Sequence, residues 1–275
     1  MVMKLREITN AGMMDCKKAL IECNGDLNAA VDLLRKRGIA TAAKKATRGA
    51  NQGVIAAAIL PGARVGVLAE VNCETDFVAK NEMFKAFADQ VAKTVRENPN
   101  ADLEALRTDA VSRIRENIRI ARTRRFDVEG NGLVAAYIHT GAKVGVLVEV
   151  GSTREATVVN EDFRQFVKDI TLQIAAANPV AVSKEDVDPA FIAKEKEIMA
   201  NSDVVKNKPP QAVAKIIEGK LDKYFKDNCL LHQGFVKRNG EITVQEHLAA
   251  VAKQVGDEIK IRRFLRFQVG EAFSN

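Results

Sequence analysis

The chain has 275 residues, a formal net charge of +6 and 47% apolar residues, enough for a substantial core in one to three domains. Aromatics make up 5% and Trp is absent, so the cores must be built from Ala, Val, Ile and Leu. No apolar run approaches the length of a membrane span, and Met1–Glu7 enters an amphipathic pattern with no secretory h-region. Cys16, Cys23, Cys73 and Cys229 form no CxxC and no Cys/His cluster. Neither a zinc site nor a disulfide framework is expected, and free thiols in a reducing cytoplasm are. The positive charge fits an acidic partner or nucleic acid, and fits a plain solvated surface equally well.

Residues 1–38 read as three short helices. The first carries Leu5 and Ile8. The second spans about Met13 to Cys23 and stops at Asn24-Gly25. Asp26 caps the third, whose seam is Leu27, Ala30, Val31 and Leu34 and whose end is expected at Gly38. Met13 and Met14 are adjacent, so they cannot both face a helical core, and one of them is expected to fill it. Residues 39–52, small and basic, read as a linker.

An internal duplication follows. Gly53–Val71 returns as Gly132–Val150 at a constant shift of 79, and Asn81-Glu82, Phe84 and Phe87 return as Asn160-Glu161, Phe163 and Phe166. Each copy opens with two strand-like runs about a turn, Pro61-Gly62-Ala63-Arg64 in the first. Cys73–Asn81 then leads into a helix capped by Asn81, with a seam of Phe84, Phe87, Ala88, Val91 and Val95. A second helix covers about Leu103–Glu116, and Ile118–Val128 alternates as a third strand. Its counterpart, Ile259–Val269, is displaced by 141, so about 62 residues are inserted in copy two. That insert, about 183–243, holds two helical patterns around Asn207-Lys-Pro-Pro210, a protruding helical hairpin, followed by an excursion turning at Asn239-Gly240. The fold class is α+β: residues 53–130 and 131–275 form two related antiparallel units with helices on a face, behind an N-terminal three-helix domain.

Asp76-Phe77 meets Glu155-Ala156 in the repeat register. The second copy keeps the apolar seam but not the aromatic, which favours a special role for Phe77 over a packing role. Other chemistry is sparse. His139, His232 and His247 have no nucleophile partner, no phosphate-cradling glycine loop occurs, and no acidic pair stands out. Arg119, Arg122, Arg124 and Arg125 lie on the third strand without interleaved aromatics, so a solvated face is favoured over a nucleic-acid stripe. A binding protein is expected, not an enzyme, with no cofactor and no metal.

Thr9–Leu20 (TNAGMMDCKKAL) and Glu70–Asn81 (EVNCETDFVAKN) resemble two signatures of the elongation factor Ts family, exchange factors for the GTPase elongation factor Tu. Weaker similarity at Glu116–Ile120, Leu231–Val236 and Arg266–Glu271 extends the resemblance over nearly the whole chain. It implies a ubiquitin-associated-like domain at 1–38, a duplicated core and a helical hairpin at about 183–230. It also implies that elongation factor Tu, GDP-bound or nucleotide-free, is the partner, with no direct nucleic acid and no membrane. Asp76 and Phe77, with Thr75, Val78 and Lys80 around them, would enter between helices of the partner's GTPase domain and weaken its Mg²⁺ and phosphate contacts. Arg6, Met13, Met14 and Lys17 match partner-binding positions of the N-terminal domain. His139, Phe235, Val236 and Lys237 match such positions in the second half of the core. Some family members continue into a further C-terminal helix where this sequence stops. Two rival functions are an RNA-binding protein using the basic strands and a ubiquitin-associated adaptor built on residues 1–38.

Overall fold

The computed structural model describes residues 1–9, 11–202 and 209–271. Three helices open the chain: α1 (Val2–Thr9), α2 (Met13–Glu22) and α3 (Leu27–Lys45). They enclose Leu5, Cys16, Ala19, Leu20, Ala30 and Leu34. The turn between α2 and α3 places Asn24 and Gly25 at positive φ, and Asp26 caps α3 by accepting from the Asn28 and Ala29 amides at 2.8 and 3.0 Å. Two expectations fail here. Helix α3 does not stop at Gly38 but runs on through half of the expected linker. Gly38 is a contact glycine and not a cap: a Cβ there would stand 3.6 Å from Ser112, on the helix Glu104–Ile114. The alanines that follow are strong helix formers and carry the helix onward. The core also takes neither methionine, because Cys16, Ala19 and Leu20 already fill the face of α2 turned inward. Ile8 is exposed as well.

The first repeat contains β1 (Gln52–Ile59), β2 (Val65–Cys73), α4 (Asp76–Lys80), α5 (Glu82–Glu97), α6 (Glu104–Ile114) and β3 (Arg119–Asp127). The second contains β4 (Gly132–Ile138), β5 (Val144–Ser152), α7 (Glu155–Val158), α8 (Glu161–Ala177), α9 (Pro189–Ala200), α10 (Pro210–Asn228), α11 (Val244–Val255) and β6 (Ile259–Gln268). Each repeat forms an antiparallel three-stranded sheet with its second strand in the middle, β1-β2-β3 and β4-β5-β6. Both middle strands shift register at the same place, Glu70/Val71 and Glu149/Val150. The helices α9 and α10 supply the inserted pair, and part of the expected turn between them, Asn207-Lys208, lies outside the described residues. Among those residues no helix is long and apolar enough to cross a membrane.

The strands β1, β2, β4 and β5 are apolar on both faces because each sheet is covered on both, whereas β3 and β6 carry arginines. In β1 and β2, Val54, Ala56, Ala58, Val67, Ala69 and Val71 share a core with Phe84, Phe87, Ala88, Val91 and Val95 of α5. In the second copy Phe163, Phe166, Val167, Ile170 and Ile174 of α8 do the same. The opposite faces meet each other: Ile55, Leu68 and Phe126 pack against Val134, Leu147 and Phe267. The stack is therefore helix, sheet, sheet, helix.

The two halves join with approximate twofold symmetry. The Ile55 amide donates to the Ala142 carbonyl at 2.7 Å, and its counterpart, the Val134 amide, donates to Ala63 at 2.8 Å. Arg122 pairs with buried Glu70 at 2.8 Å and lies over the Phe267 ring, 3.9 Å from its centroid. Arg263 pairs with buried Glu149 at 2.7 Å and lies over Phe126 at 4.3 Å. Each cation is shared between a carboxylate of its own half and an aromatic face of the other. Arg125 pairs with Asp127 at 2.6 Å and donates to the end of α5 through the Val95 carbonyl. Half of the basic cluster on β3 thus works inside the fold, and Arg119 and Arg124 remain exposed.

Candidate functional site: the short helix after β2

Strand β2 ends at Cys73, whose buried Sγ donates to the Thr75 carbonyl at 3.2 Å. Burial, with the neighbouring Glu116 carboxylate, pushes this thiol up to about 12, so it stays protonated. The chain then turns out of the sheet. Thr75 takes an extended conformation and caps α4, its hydroxyl accepting from the Val78 amide at 3.3 Å. Asn81 ends α4 and caps α5, accepting from the Met83 amide at 2.8 Å. Helix α4 is one turn long, far below the length at which a helix is stable alone. External contacts must hold it. Ala79 is buried beneath it and Val78 packs on the first core.

Above that base stand Asp76 and Phe77. Phe77 is 81% exposed, presenting a large apolar ring to solvent. Asp76 pairs with Lys80 at 2.7 Å, one helical turn on. The hydrogen bond from Lys80 holds the Asp76 carboxyl below its ordinary range, so it is ionised at neutral pH. Both groups are solvated, so the pair adds little to stability and is free to exchange partners.

Glu116, which follows α6, fastens the loop. One carboxylate oxygen accepts from the Glu74 and Thr75 amides, each at 3.0 Å, and the other from the Thr75 hydroxyl at 2.6 Å. In the second repeat Asp257 accepts from the Thr153 hydroxyl, from the Arg154 amide at 3.1 Å and from the Thr157 hydroxyl at 2.6 Å. Burial favours the neutral acid of Asp257, but these donors and the Glu258 amide outweigh burial and hold its pKa well below the carboxylate range. Glu116 and Asp257 correspond at the shift of 141, which is the sequence signal that marks them. Each follows a left-handed helix end, Arg115 (φ 65°) and Gly256 (φ 65°). The same latch in the second copy presents Ala156, not an aromatic.

The other expected residues lie at three places. Met13 and Met14 are 50% and 62% exposed at the start of α2, and Lys17 of the same helix and Arg6 of α1 are exposed too. This cluster is tied toward α4: Arg115, the neighbour of Glu116, pairs with Asp15 at 2.6 Å. His139 is exposed at the β4–β5 turn, its Nδ1 3.0 Å from the Tyr137 hydroxyl. Val236 is 39% exposed, and Lys237 forms an ion pair with Asp169 of α8. Phe235 requires a correction. It is 2% exposed and stacks on His247 with 4.2 Å between ring centroids, so it anchors the loop beneath Val236 and cannot itself touch a partner.

Comparison with known proteins agrees with the two signatures. The family described as Elongation factor TS matches residues 74–271. The chain is 42% identical over 273 residues to Elongation factor Ts of Nitratidesulfovibrio vulgaris (strain DP4), covering 98% of this chain and 95% of that one. It is 44% identical over 284 residues to Elongation factor Ts of Clostridium botulinum (strain Eklund 17B / Type B), covering 98% and 92%. It is 38% identical over 288 residues to that of Lawsonia intracellularis (strain PHE/MN1-00), covering 98% of both. Similarity of this depth along nearly the whole length, spanning both repeats and the latched helix of the first, shows that the chain belongs to the elongation factor Ts family of translation elongation factors.

Proposed function

We propose that this chain is a guanine-nucleotide exchange factor that acts on elongation factor Tu in the cytoplasm, entering the GTPase domain with Asp76 and Phe77 and so releasing GDP. The observation that carries this reading is Phe77: 81% exposed, on a one-turn helix held rigid from behind, with alanine at the equivalent place in the other repeat. The ring contributes nothing to this fold, so its apolar surface is available to a partner. Burying most of it would supply about 1.5–3 kcal/mol, or roughly ten- to a hundredfold in an equilibrium constant. A thousandfold loss of GDP affinity needs about 4 kcal/mol, so other contacts must share the work. Arg6, Met13, Met14 and Lys17 on one side, and His139, Val236 and Lys237 on the other, are the residues proposed to bind the same partner. Coupling of this kind is reciprocal: a factor that weakens nucleotide binding is displaced by nucleotide in turn. No bond is made or broken, and no catalytic group of this chain is required.

The test is release of a fluorescent GDP analogue from elongation factor Tu, with the parent chain and with Phe77→Ala and Asp76→Ala together. Rapid release by the parent and at least a tenfold slower rate with the variant, at unchanged circular dichroism, is the expected result. A variant as fast as the parent would show that Asp76 and Phe77 are not the wedge. No acceleration by the parent itself would reject the exchange reading altogether.

A further inference from the structure

We infer that Glu116 is a positioning residue for the exchange site: its carboxylate fixes the direction in which the Asp76–Phe77 helix leaves the sheet. This rests on the function proposed above. Helix α4 has five residues and cannot set its own axis. Asp76 and Phe77 face outward and restrain nothing. Glu116 holds three consecutive donors of the loop behind them and hands the restraint forward. The Thr75 hydroxyl donates to Glu116 Oε1, which leaves its lone pair to accept from the Val78 amide. Carboxylate, hydroxyl and amide form one relay from the end of α6 to the middle of α4. Charge-assisted bonds of this kind are the stronger class.

The neighbours of Glu116 extend the restraint to the N-terminal helices. Arg115 reaches Asp15 of α2, and its carbonyl accepts from Lys45 at the end of α3. Asn117 donates from its side chain to the Arg48 carbonyl at 2.7 Å and from its amide to Glu74 at 2.5 Å. One three-residue turn therefore touches α2, the connection after α3 and the loop into α4. The methionines of α2 and Phe77 of α4 are held in register by adjacent residues. The second copy has the latch, through Asp257, without an exposed aromatic. The latch thus belongs to the repeated unit, and the first copy has added Phe77 to it.

The experiment is a double-mutant cycle on the exchange assay with the full chain, using Glu116→Ala in the parent and in Phe77→Ala. A displacement on the order of 1 Å at a reacting contact can cost about a hundredfold. At saturating factor, Glu116→Ala should slow GDP release at least tenfold in the parent. In the Phe77→Ala background it should change the rate less than about twofold, since residues acting through one another are not additive. Glu116→Gln, which keeps an acceptor for the two amides, should recover most of the rate. Thr75→Val removes the hydroxyl of the relay while leaving both backbone amides on Glu116. It should slow release at least threefold, and it stands as the test if the alanine variant folds poorly. Equal losses in both backgrounds would overturn the inference, as would an unchanged rate in Glu116→Ala or Thr75→Val beside a slow Phe77→Ala. If Phe77→Ala itself is as fast as the parent, the wedge reading falls first, and the positioning role falls with it.

Discussion

Gly66→Ala probes how closely the two sheets approach. Gly66 lies on β2, facing the second sheet. An alanine Cβ there would stand 2.8 Å from Ile59 Cδ1 and 2.9 Å from Leu147 Cδ1, and closer still to Val134. Carbon atoms in contact prefer roughly 3.5–4.0 Å, so three side chains must yield together or the sheets must part. Overpacking of this kind costs about 1–3 kcal/mol. Replacing glycine in a strand returns about 0.5–1 kcal/mol through the unfolded chain, leaving a net loss of about 0.5–2 kcal/mol by the same figures. At about 2–4 °C per kcal/mol for a chain somewhat smaller than this one, the thermal midpoint should fall by roughly 1–8 °C. Gly145→Ala is the symmetry mate, meeting Ile138 at 2.9 Å and Leu68 at 3.1 Å, with Ile55 nearer than either. Both changes strain one intersheet layer, so the second should cost about 0.5–1 kcal/mol less once the first has opened it. Calorimetry or denaturant unfolding of the two single variants and the double variant measures this. Midpoints within about 1 °C of the parent, on that same scale, or strictly additive losses, would refute the shared-layer argument.

Two further outcomes are expected. Because the folded-state pKa of Asp257 is depressed, its latch contributes stability above the unfolded pKa of about 3.9 and loses it as pH falls below that value. Unfolding free energy measured from pH 6 to pH 2 should therefore fall more steeply for the parent than for Asp257→Asn, and equal slopes would contradict the assignment. Cys73 is buried with its pKa raised to about 12, and Cys16 and Cys229 are buried too, whereas Cys23 is partly exposed. A thiol reagent at pH 8 should modify Cys23 rapidly and the other three at the rate of unfolding, and prompt labelling of Cys73 would mean the loop after β2 opens freely.

Much of this architecture was legible because duplicated strands repeat their side chains, not only their pattern. The shift of 79 located both hairpins, and the shift of 141 located the returning strands. Continuous apolar runs such as Val54–Ile59 announced burial on both faces but not what covered the second. Face-to-face packing of sheets leaves no spacing in a sequence, so the contact of Ile55 and Leu68 with Val134 and Leu147 appeared only in the structure. Local signals misled where a distant element changed their meaning. Gly38 resembles a helix stop until Ser112 is seen against it. Phe235 resembles a surface anchor until His247, from α11, stacks on its ring. At the candidate site, the broken repeat already pointed to a Phe77 that does not pack in the core, and the ring is exposed. The shift of 141 marks Glu116 and Asp257 but not what they bind, because the partners of Glu116 lie about forty residues earlier in the chain.

The pseudo-twofold joint has a consequence for ancestry. A single repeat would expose the sheet face that carries Ile55, Leu68 and Phe126, along with an arginine lacking its aromatic lid. Such a unit would need a second copy, or another cover, over that apolar face. Fusing two copies end to end makes the pairing intramolecular and independent of concentration. It also frees the two halves from identity. A homodimer must present every surface feature twice, once on each side of its axis. The fused chain places one aromatic on one side, leaves alanine on the other, and opens the second half to a helical insert.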